Sequence, residues 1–265
     1  TGKSYIPLEI SSLFPVEDLM KLGSCSPTAF FHEEGEVDKE NNIITVDLAR
    51  KIIIFMDQPN NELLKRMRSL LSHDQKEIES KMTDKNQRGG NRTKTVILKG
   101  FPAVVFCSAG LSIDEQEGTR FLILSTEMSQ EKLRASIMQK IRKESDEKAY
   151  YDWLDADPAR QLLKLRIRAI KQEKIQKIII PEAEAIEQFF LDNKNILKPR
   201  HQRDVGRLIT LTKAFALLNV WFRKREGDTV YASMEDIEEA ARIWDKIAES
   251  QEHNLPPYTF NLFKD

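Results

Sequence analysis

The sequence predicts an α/β fold with a parallel sheet followed by an all-helical part, and three observations lead to this expectation. Residues 52–56 are five consecutive apolar residues bounded by polar ones, as in a strand buried on both faces of a parallel sheet. Residues 62–71 follow with apolar residues at helical spacing, which completes a strand–helix unit. Later in the chain helical patterns dominate. We therefore expect an α/β domain over residues 1–128 and a helical domain over residues 129–265.

Composition places the chain among globular proteins. Of its 265 residues, 40% are hydrophobic and 31% are charged, and the net charge is −1, so any contact with nucleic acid requires a local basic patch. No apolar run approaches the roughly 20 residues that cross a bilayer, and we expect no membrane association. Cys25 and Cys107 show no metal-ligand spacing, which indicates reduced thiols in a cytoplasmic protein.

The apolar run ends at Asp57, at the edge where open α/β sheets bind ligands. At the start of the chain, Gly2, Lys3 and Ser4 form the second half of the phosphate-binding pattern G-x-x-x-x-G-K-[ST]. We expect the chain to be a piece of a longer protein, because the first half of this loop and its strand would precede residue 1. Together the motifs predict an ATP site, with Gly2 and Lys3 on the phosphates and Ser4 and Asp57 on Mg²⁺. The alternative is an interaction domain in which Gly-Lys-Ser is accidental.

The remaining elements of the first part are less regular. The spacing over residues 5–22 predicts a helix interrupted by prolines, and residues 28–48 predict two short strands joined by a turn. Residues 101–110 read as a second buried strand that ends in small polar residues, and residues 121–125 read as a third strand. In a nucleotide triphosphatase, a polar side chain at the end of the second of these strands, such as Ser108, reaches the γ-phosphate or the attacking water. The alternative is a strand-terminal serine without a role.

Residues 82–100 predict a hairpin with a basic tip. Gly89–Gly90 is a hairpin-turn signal. The flanks carry five basic residues and no acidic one between positions 85 and 99, namely Lys85, Arg88, Arg92, Lys94 and Lys99. A glycine tip with basic flanks approaches a phosphate backbone closely and matches its charge. The alternative is a solvated surface loop.

The helical part offers two further signals. Residues 205–218 carry a wide apolar stripe, and Ser233 to Asp236 resembles a capping box that opens another amphipathic helix. Arg120 stands just before the predicted strand 121–125, a position suited to a subunit edge. Its alternative is a surface ion pair, worth under about 1 kcal/mol.

In these motifs the sequence resembles AAA+ ATPases of the replicative-helicase type, the group of minichromosome-maintenance proteins and of primase-associated helicases from mobile elements. Gly2–Ser4 resembles the end of the family's Walker A motif, and Ile53–Asp57 resembles Walker B. The basic hairpin resembles the pre-sensor-1 hairpin that lines the pore of ring helicases. Residues 101–109 resemble the sensor-1 strand.

The resemblance extends into the second part. Arg120–Phe121 resembles the pair that supplies an arginine finger to the neighbouring subunit, and Arg203 resembles the sensor-2 arginine of the lid. Residues 236–240 resemble the family's last lid helix.

This resemblance implies an α/β P-loop AAA+ core, with a parallel sheet whose first strand lies before residue 1, followed by an all-helical lid domain. It implies an ATP-driven motor of DNA replication, a hexameric ring helicase that translocates on single-stranded DNA with ATP and Mg²⁺. The implied catalytic residues are Asp57, Gln58, Ser108, Arg120 and Arg203, and the implied nucleic-acid contacts are Lys85, Arg88, Arg92 and Lys94.

Two positions depart from the family pattern. The family has Asp-Glu where this chain has Asp57–Gln58, and a neutral amide cannot accept the proton of the attacking water. Either hydrolysis is slow, or another carboxylate serves, or a glutamate was replaced to trap ATP. The alternative function is a nucleotide-gated loader or assembly module with little hydrolysis. Sensor 1 is Asn or Thr in the family, so the assignment of Ser108 rather than Ala109 is open by one residue.

Overall fold

The structure is a computed structural model in which residues 4–84, 92–108, 120–126, 129–192, 194, 196–253 and 255–264 are described. The chain divides into two compact units, Thr1–Gly110 and Leu111–Asp265. The division lies at Gly110, whereas the sequence placed it near residue 128.

The first unit contains the predicted parallel sheet. Its strands are β1 (Leu19–Leu22), β4 (Ile52–Phe55) and β7 (Ala103–Phe106), in the order β1-β4-β7, and each neighbouring pair is parallel. The central strand β4 is the apolar run, and its Ile53, Ile54 and Phe55 are 0%, 1% and 3% exposed. The prediction of a buried strand in a parallel sheet at this position is confirmed.

A second, four-stranded sheet in this unit carries the predicted hairpin. It contains β2 (Glu36–Asp38), β3 (Ile43–Asp47), β5 (Glu77–Asp84) and β6 (Arg92–Lys99), in the order β2-β3-β6-β5. β3 and β6 are parallel, and the other pairs are antiparallel. β3 pairs only with residues 95–99 of β6, so in the described residues the far end of the β5–β6 ribbon extends beyond its sheet.

The helices of the first unit differ from expectation at one end. α1 (Tyr5–Ser11) ends well before residue 22, and Pro15 precedes a single 3₁₀ turn that leads into β1. The predicted long helix is therefore wrong, because Pro15 cannot continue a helix and the apolar residues beyond it pair with β4 instead. α2 (Asn61–Leu71) agrees with the prediction, and Asn60 caps it by accepting the Glu62 N–H at 2.7 Å.

The second unit is mainly helical, as predicted. Its helices are α3 (Gln130–Ser145), α4 (Glu147–Asp155), α5 (Pro158–Gln172), α6 (Ala183–Asp192), α7 (His201–Leu218), α8 (Met234–Glu252) and α9 (Pro257–Lys264). The two predicted apolar stripes face each other, since Leu208 of α7 packs in one cluster with Ile237 and Trp244 of α8.

The expectation of an all-helical lid is wrong. Three short strands, β8 (Lys177–Ile179), β9 (Arg225–Glu226) and β10 (Thr229–Tyr231), form a sheet in the order β8-β10-β9. β8 and β10 are parallel, and β9 and β10 are antiparallel. Strands of two or three residues are too short to show an alternating pattern, which is why the sequence did not reveal them.

An ion pair joins Arg223, which lies two residues before β9, to α8. Arg223 donates to both carboxylate oxygens of Asp236 at 2.7 and 2.8 Å, and Asp236 is fully buried in the first turn of α8. Burial raises the pKa of Asp236, but hydrogen bonds from Arg223 and Ser233 outweigh this effect and hold the pKa below its ordinary value.

Two predicted strands differ from their description. β7 forms an edge of the sheet in the described residues, and its Ala103 and Val105 are exposed rather than buried. Residues 121–125 form no strand. Their central residue, Ile123, hydrogen-bonds the side-chain amide of Gln251, which takes the place of a neighbouring strand.

Among the described residues, no helix combines the length and apolar character needed to span a membrane.

We expect Gly100→Ala to destabilise the first unit by more than about 1 kcal/mol. Gly100 has φ +90°, and a Cβ there would lie 2.5 Å from the backbone nitrogen of Ala49. The matched control is Gly23→Ala, because a Cβ built at Gly23 meets no described atom within 4 Å. Urea unfolding of both variants measures the difference, and equal stability of the two would contradict the packing at Gly100.

Candidate functional site

The carboxyl ends of β4 and β7 bring two predicted site residues together. Asp57 and Gln58 follow β4, and Ser108 follows β7. The hydroxyl of Ser108 donates to Oε1 of Gln58 at 3.4 Å. The hydrogen bonds between β4 and β7 continue up to this edge, since the Cys107 N–H donates to the Phe55 carbonyl at 3.1 Å. Parallel strands thus place an amide and a hydroxyl side by side next to an exposed carboxylate.

The loop after β4 is held at both ends. Before it, the strand is fixed by burial of Phe55, whose ring packs edge-on against Phe30 with centroids 6.4 Å apart. After it, the buried Pro59 and the capping Asn60 lead directly into α2. Asp57 and Gln58 therefore stand on a short connection between a core strand and a capped helix, which limits the positions their side chains can take.

The charge of Asp57 affects the pKa of the neighbouring Cys107 thiol. Burial raises the pKa of the Cys107 thiol, and the negative charge of Asp57 raises it further. Cys107 is 8% exposed, whereas Asp57 is exposed. The Asp57 carboxylate therefore acts on the end of β7 as well as on solvent, and an ion that neutralised it would change the titration of a neighbouring thiol.

The predicted phosphate-binding residues are only partly described. Gly2 and Lys3 lie outside the described residues, so their geometry relative to Asp57 stays a prediction. Ser4 stands at the N-cap position of α1, where its carbonyl accepts the Leu8 N–H at 3.2 Å. Its half-buried hydroxyl makes no capping hydrogen bond to the described helix.

The predicted magnesium ligands Asp57 and Ser4 carry oxygen donors, and their role stays a prediction. The described residues contain no group of three or more histidine, cysteine or acidic side chains able to hold a metal by themselves. Mg²⁺ in a triphosphate site needs only one or two protein oxygens in addition to phosphate oxygens and water. The carboxylate of Asp57 and the hydroxyl of Ser4 are ligands of this kind.

The predicted nucleic-acid residues lie on the β5–β6 hairpin. Lys85 and Arg88 fall outside the described residues. Arg92 opens β6 and lies opposite Asp84 in the antiparallel register, and Lys94 lies opposite Met82. Lys99, at the base of the hairpin, is 3.7 Å from Asp47. The hairpin prediction is confirmed as far as its strands are described.

The two predicted arginines of the ATP site belong to the second unit. Arg120 is half-buried and precedes Phe121, and Arg203 is exposed in the first turn of α7. Arg200 and Arg207, which flank Arg203 in sequence, share the buried carboxylate of Asp204 at 3.3 and 3.0 Å.

Arg200 and Arg207 both make further hydrogen bonds within the second unit. Arg200 also donates to the carbonyls of Gln251 and Glu252, and Arg207 donates to the Phe121 carbonyl at 2.8 Å. Arg203 is therefore the one of the three whose side chain lies on the exposed side of the helix.

Sequence reasoning missed the role of Gln251. This residue is 1% exposed and binds both backbone groups of Ile123. A signal was present, because Gln251 continues the apolar stripe of α8 that runs through Ile237, Trp244 and Ile247. A polar residue on such a stripe requires a buried hydrogen-bond partner.

A groove in the second unit is a poor candidate for the nucleotide. It encloses about 770 Å³ between α6, α7 and β8. Its lining is mainly aliphatic and aromatic, including Ile178, Ile186, Phe190 and Val205. A triphosphate needs several backbone N–H groups or cationic side chains around it, and the edge of the parallel sheet stays the predicted nucleotide site.

No protein-family model matches the chain, and no curated protein matches it.

We expect Asp57→Asn to lower the pKa of the Cys107 thiol, because the variant removes the carboxylate charge that disfavours the thiolate. The thiolate is the reactive form, so alkylation of Cys107 at a fixed pH below its pKa becomes faster. The measurement is the pH dependence of alkylation in a Cys25→Ser background. Asp74→Asn, an exposed acid of the same unit, is the matched control, and an unchanged rate in Asp57→Asn would contradict the contact.

Proposed function

We propose that this chain is the ATPase part of an AAA+ ring motor that acts on DNA, of the replicative-helicase type. The observation that carries the proposal is the edge of the parallel sheet. There Asp57 and Gln58 follow the central strand, and Ser108 follows its neighbour, 3.4 Å from Gln58. This is where an open α/β sheet binds its ligand, and the Gly-Lys-Ser motif supplies the complementary phosphate-binding half.

In the proposed site each residue has one task. Lys3 and the amides of the loop that includes Gly2 hold the phosphates, and Ser4 and Asp57 hold Mg²⁺. When bound, the ion neutralises charge on the β- and γ-phosphates. The hydroxyl of Ser108 and the amide of Gln58 orient the attacking water, and their hydrogen bond restricts the orientation of each group.

The proposed motor completes its site across a subunit boundary. Arg120 of the neighbouring subunit offsets the negative charge that develops on the transferred phosphoryl group, and Arg203 couples the helical unit to the γ-phosphate. Arg203 is exposed, whereas Arg200 is half-buried and Arg207 is buried, and this difference supports the role. Such a site requires an oligomer, and a hexameric ring satisfies it.

The proposed nucleic-acid contact is the β5–β6 hairpin. Its ribbon projects beyond the second sheet, and its basic residues Lys85, Arg88, Arg92 and Lys94 provide the charge that a phosphate backbone requires. The net charge of the whole chain is −1, so this local concentration, rather than the overall field, directs binding.

Gln58 favours a second candidate function. An amide orients water but does not accept its proton, so the chain also fits a nucleotide-gated loader or assembly module. In that case ATP binding holds subunits together and hydrolysis is negligible.

We expect Gln58→Glu to raise ATP turnover by about 100-fold or more, because a positioned general base contributes about 10²–10⁴-fold. The measurement is ATP binding and single-stranded-DNA-stimulated hydrolysis, in protein carrying a complete phosphate-binding loop ahead of Gly2. Gln172→Glu, at an exposed position of the second unit, is the matched control.

Binding that depends on Lys3, with turnover unaffected by Gln58→Glu, would favour the nucleotide-gated module. Absence of Lys3-dependent ATP binding would overturn the ATPase proposal.

We expect charge reversal at Arg92 and Lys94 to weaken binding to single-stranded DNA and to reduce the salt dependence of that binding. Each lost phosphate contact lowers the slope of log K against log salt by about 0.7. Fluorescence anisotropy over a range of salt concentrations measures both quantities. Lys39→Glu, an exposed lysine between β2 and β3, controls for net charge, and equal effects of all three reversals would contradict a specific contact by the hairpin.

A further inference from the structure

The segment 120–126 is held to the second unit by side chains. Gln251 accepts the Ile123 N–H through Oε1 at 3.0 Å and donates to the Ile123 carbonyl through Nε2 at 2.7 Å. One amide thus satisfies both backbone groups of one residue, as an adjacent strand would. Ile123 is 7% exposed and Gln251 is 1% exposed, so water does not compete easily for these bonds.

Two further contacts fix the same segment. Arg207 donates from Nη2 to the Phe121 carbonyl at 2.8 Å, and the buried carboxylate of Asp204 holds this guanidinium at 3.0 Å. The hydroxyl of Ser125 accepts the Tyr258 N–H at 2.9 Å. The segment is therefore tied to α7, α8 and α9 at three consecutive odd-numbered residues.

These contacts fix the position of the Arg120 backbone. Arg120 directly precedes Phe121, whose carbonyl Arg207 binds, and stands three residues before Ile123. A long arginine side chain reaches a given point only when its own Cα is correctly placed. The geometry of the segment is therefore a condition for any task that Arg120 performs at its guanidinium.

We propose that Gln251 and Arg207 are positioning residues for Arg120, which set the reach of its guanidinium into the ATP site of the neighbouring subunit. This inference rests on the proposed ATPase function. Gln251 stands near the C-terminal end of α8, 128 residues from Ile123 in sequence. The helical unit thus holds Arg120 and Arg203 in one framework, and a change in the packing of α8 changes the placement of Arg120 without touching the nucleotide.

The test is a double-mutant cycle in the Gln58→Glu background, in which ATP turnover is measured for the parent, Arg120→Ala, Gln251→Met and the double variant. Methionine has nearly the shape of glutamine but forms neither bond to Ile123. We expect Gln251→Met to lower kcat by about tenfold to a hundredfold, since small misplacements have effects of this size, and to leave the KM for ATP unchanged. We expect no further loss when Gln251→Met is added to Arg120→Ala.

Non-additivity is the result that a purely structural role would not give. A Gln251→Met effect that persists in full on Arg120→Ala, or no effect on kcat at all, would overturn the positioning role while leaving the ATPase proposal intact. Absence of ATP turnover in parent and variants alike would overturn the proposed function, and the positioning role with it. Gln172→Met is the matched control and is expected to match the parent.

Gln251→Glu gives a second test that does not depend on the folding of the methionine variant. An ionised carboxylate accepts the Ile123 N–H but repels its carbonyl, whereas a neutral carboxyl group donates and accepts as the amide does. Burial raises the pKa of such a carboxyl group. The ratio of kcat for Gln251→Glu to that of its parent is therefore expected to rise as pH falls, and a ratio that does not vary with pH would contradict the proposal.

Discussion

The first unit depends on the burial of β4 between β1 and β7. Its Ile53, Ile54 and Phe55 are removed almost completely from water, which contributes about 1.5–3 kcal/mol for each side chain. The same burial orders the site, because a strand with partners on both sides has a fixed register. Once Ile53 is paired with Met20 and Val104, the positions at which the strands end, and with them the places of Asp57 and Ser108, follow.

The second unit relies on a different device. Its helices pack through apolar stripes around Leu208 and Trp244, but buried polar side chains determine how the segments between helices are attached. Arg223, just before β9, binds Asp236 of α8, and Gln251 attaches Ile123. Such groups are strongly destabilising when one partner is lost, so they specify one arrangement where apolar contacts alone would allow several.

Local sequence patterns predicted the elements whose structure depends on residues close together in the chain. The apolar run gave β4, the helical period gave α2 to within one residue of its start, and Gly89–Gly90 marked the β5–β6 hairpin. The closeness of Gln58 and Ser108 agrees with the common edge at which parallel strands end.

The remainder depends on contacts between distant residues. Residues 121–125 have the composition of a core strand, but their partner is a glutamine amide from a helix, and no periodicity distinguishes these cases. The strands β8 and β10 meet only because the chain returns after α6 and α7. The sequence supplied the chemical groups of the candidate site, but it did not reveal that Gln251 and Arg207 bind the backbone of residues 121–123.

In the part of the chain that the structure describes, the two-stranded ribbon of β5 and β6 is attached to the rest of its sheet at one end only. Val96 and Leu98 of β6 are fully buried, and β3 pairs only with residues 95–99. The ribbon is therefore anchored at this end. The three residues of β6 beyond the paired part, 92–94, span about 10 Å, and over that length a tilt of about 5° displaces their outer end by about 1 Å. A tilt too small to disturb the core at Leu98 therefore still shifts the backbone of Arg92 by about 1 Å.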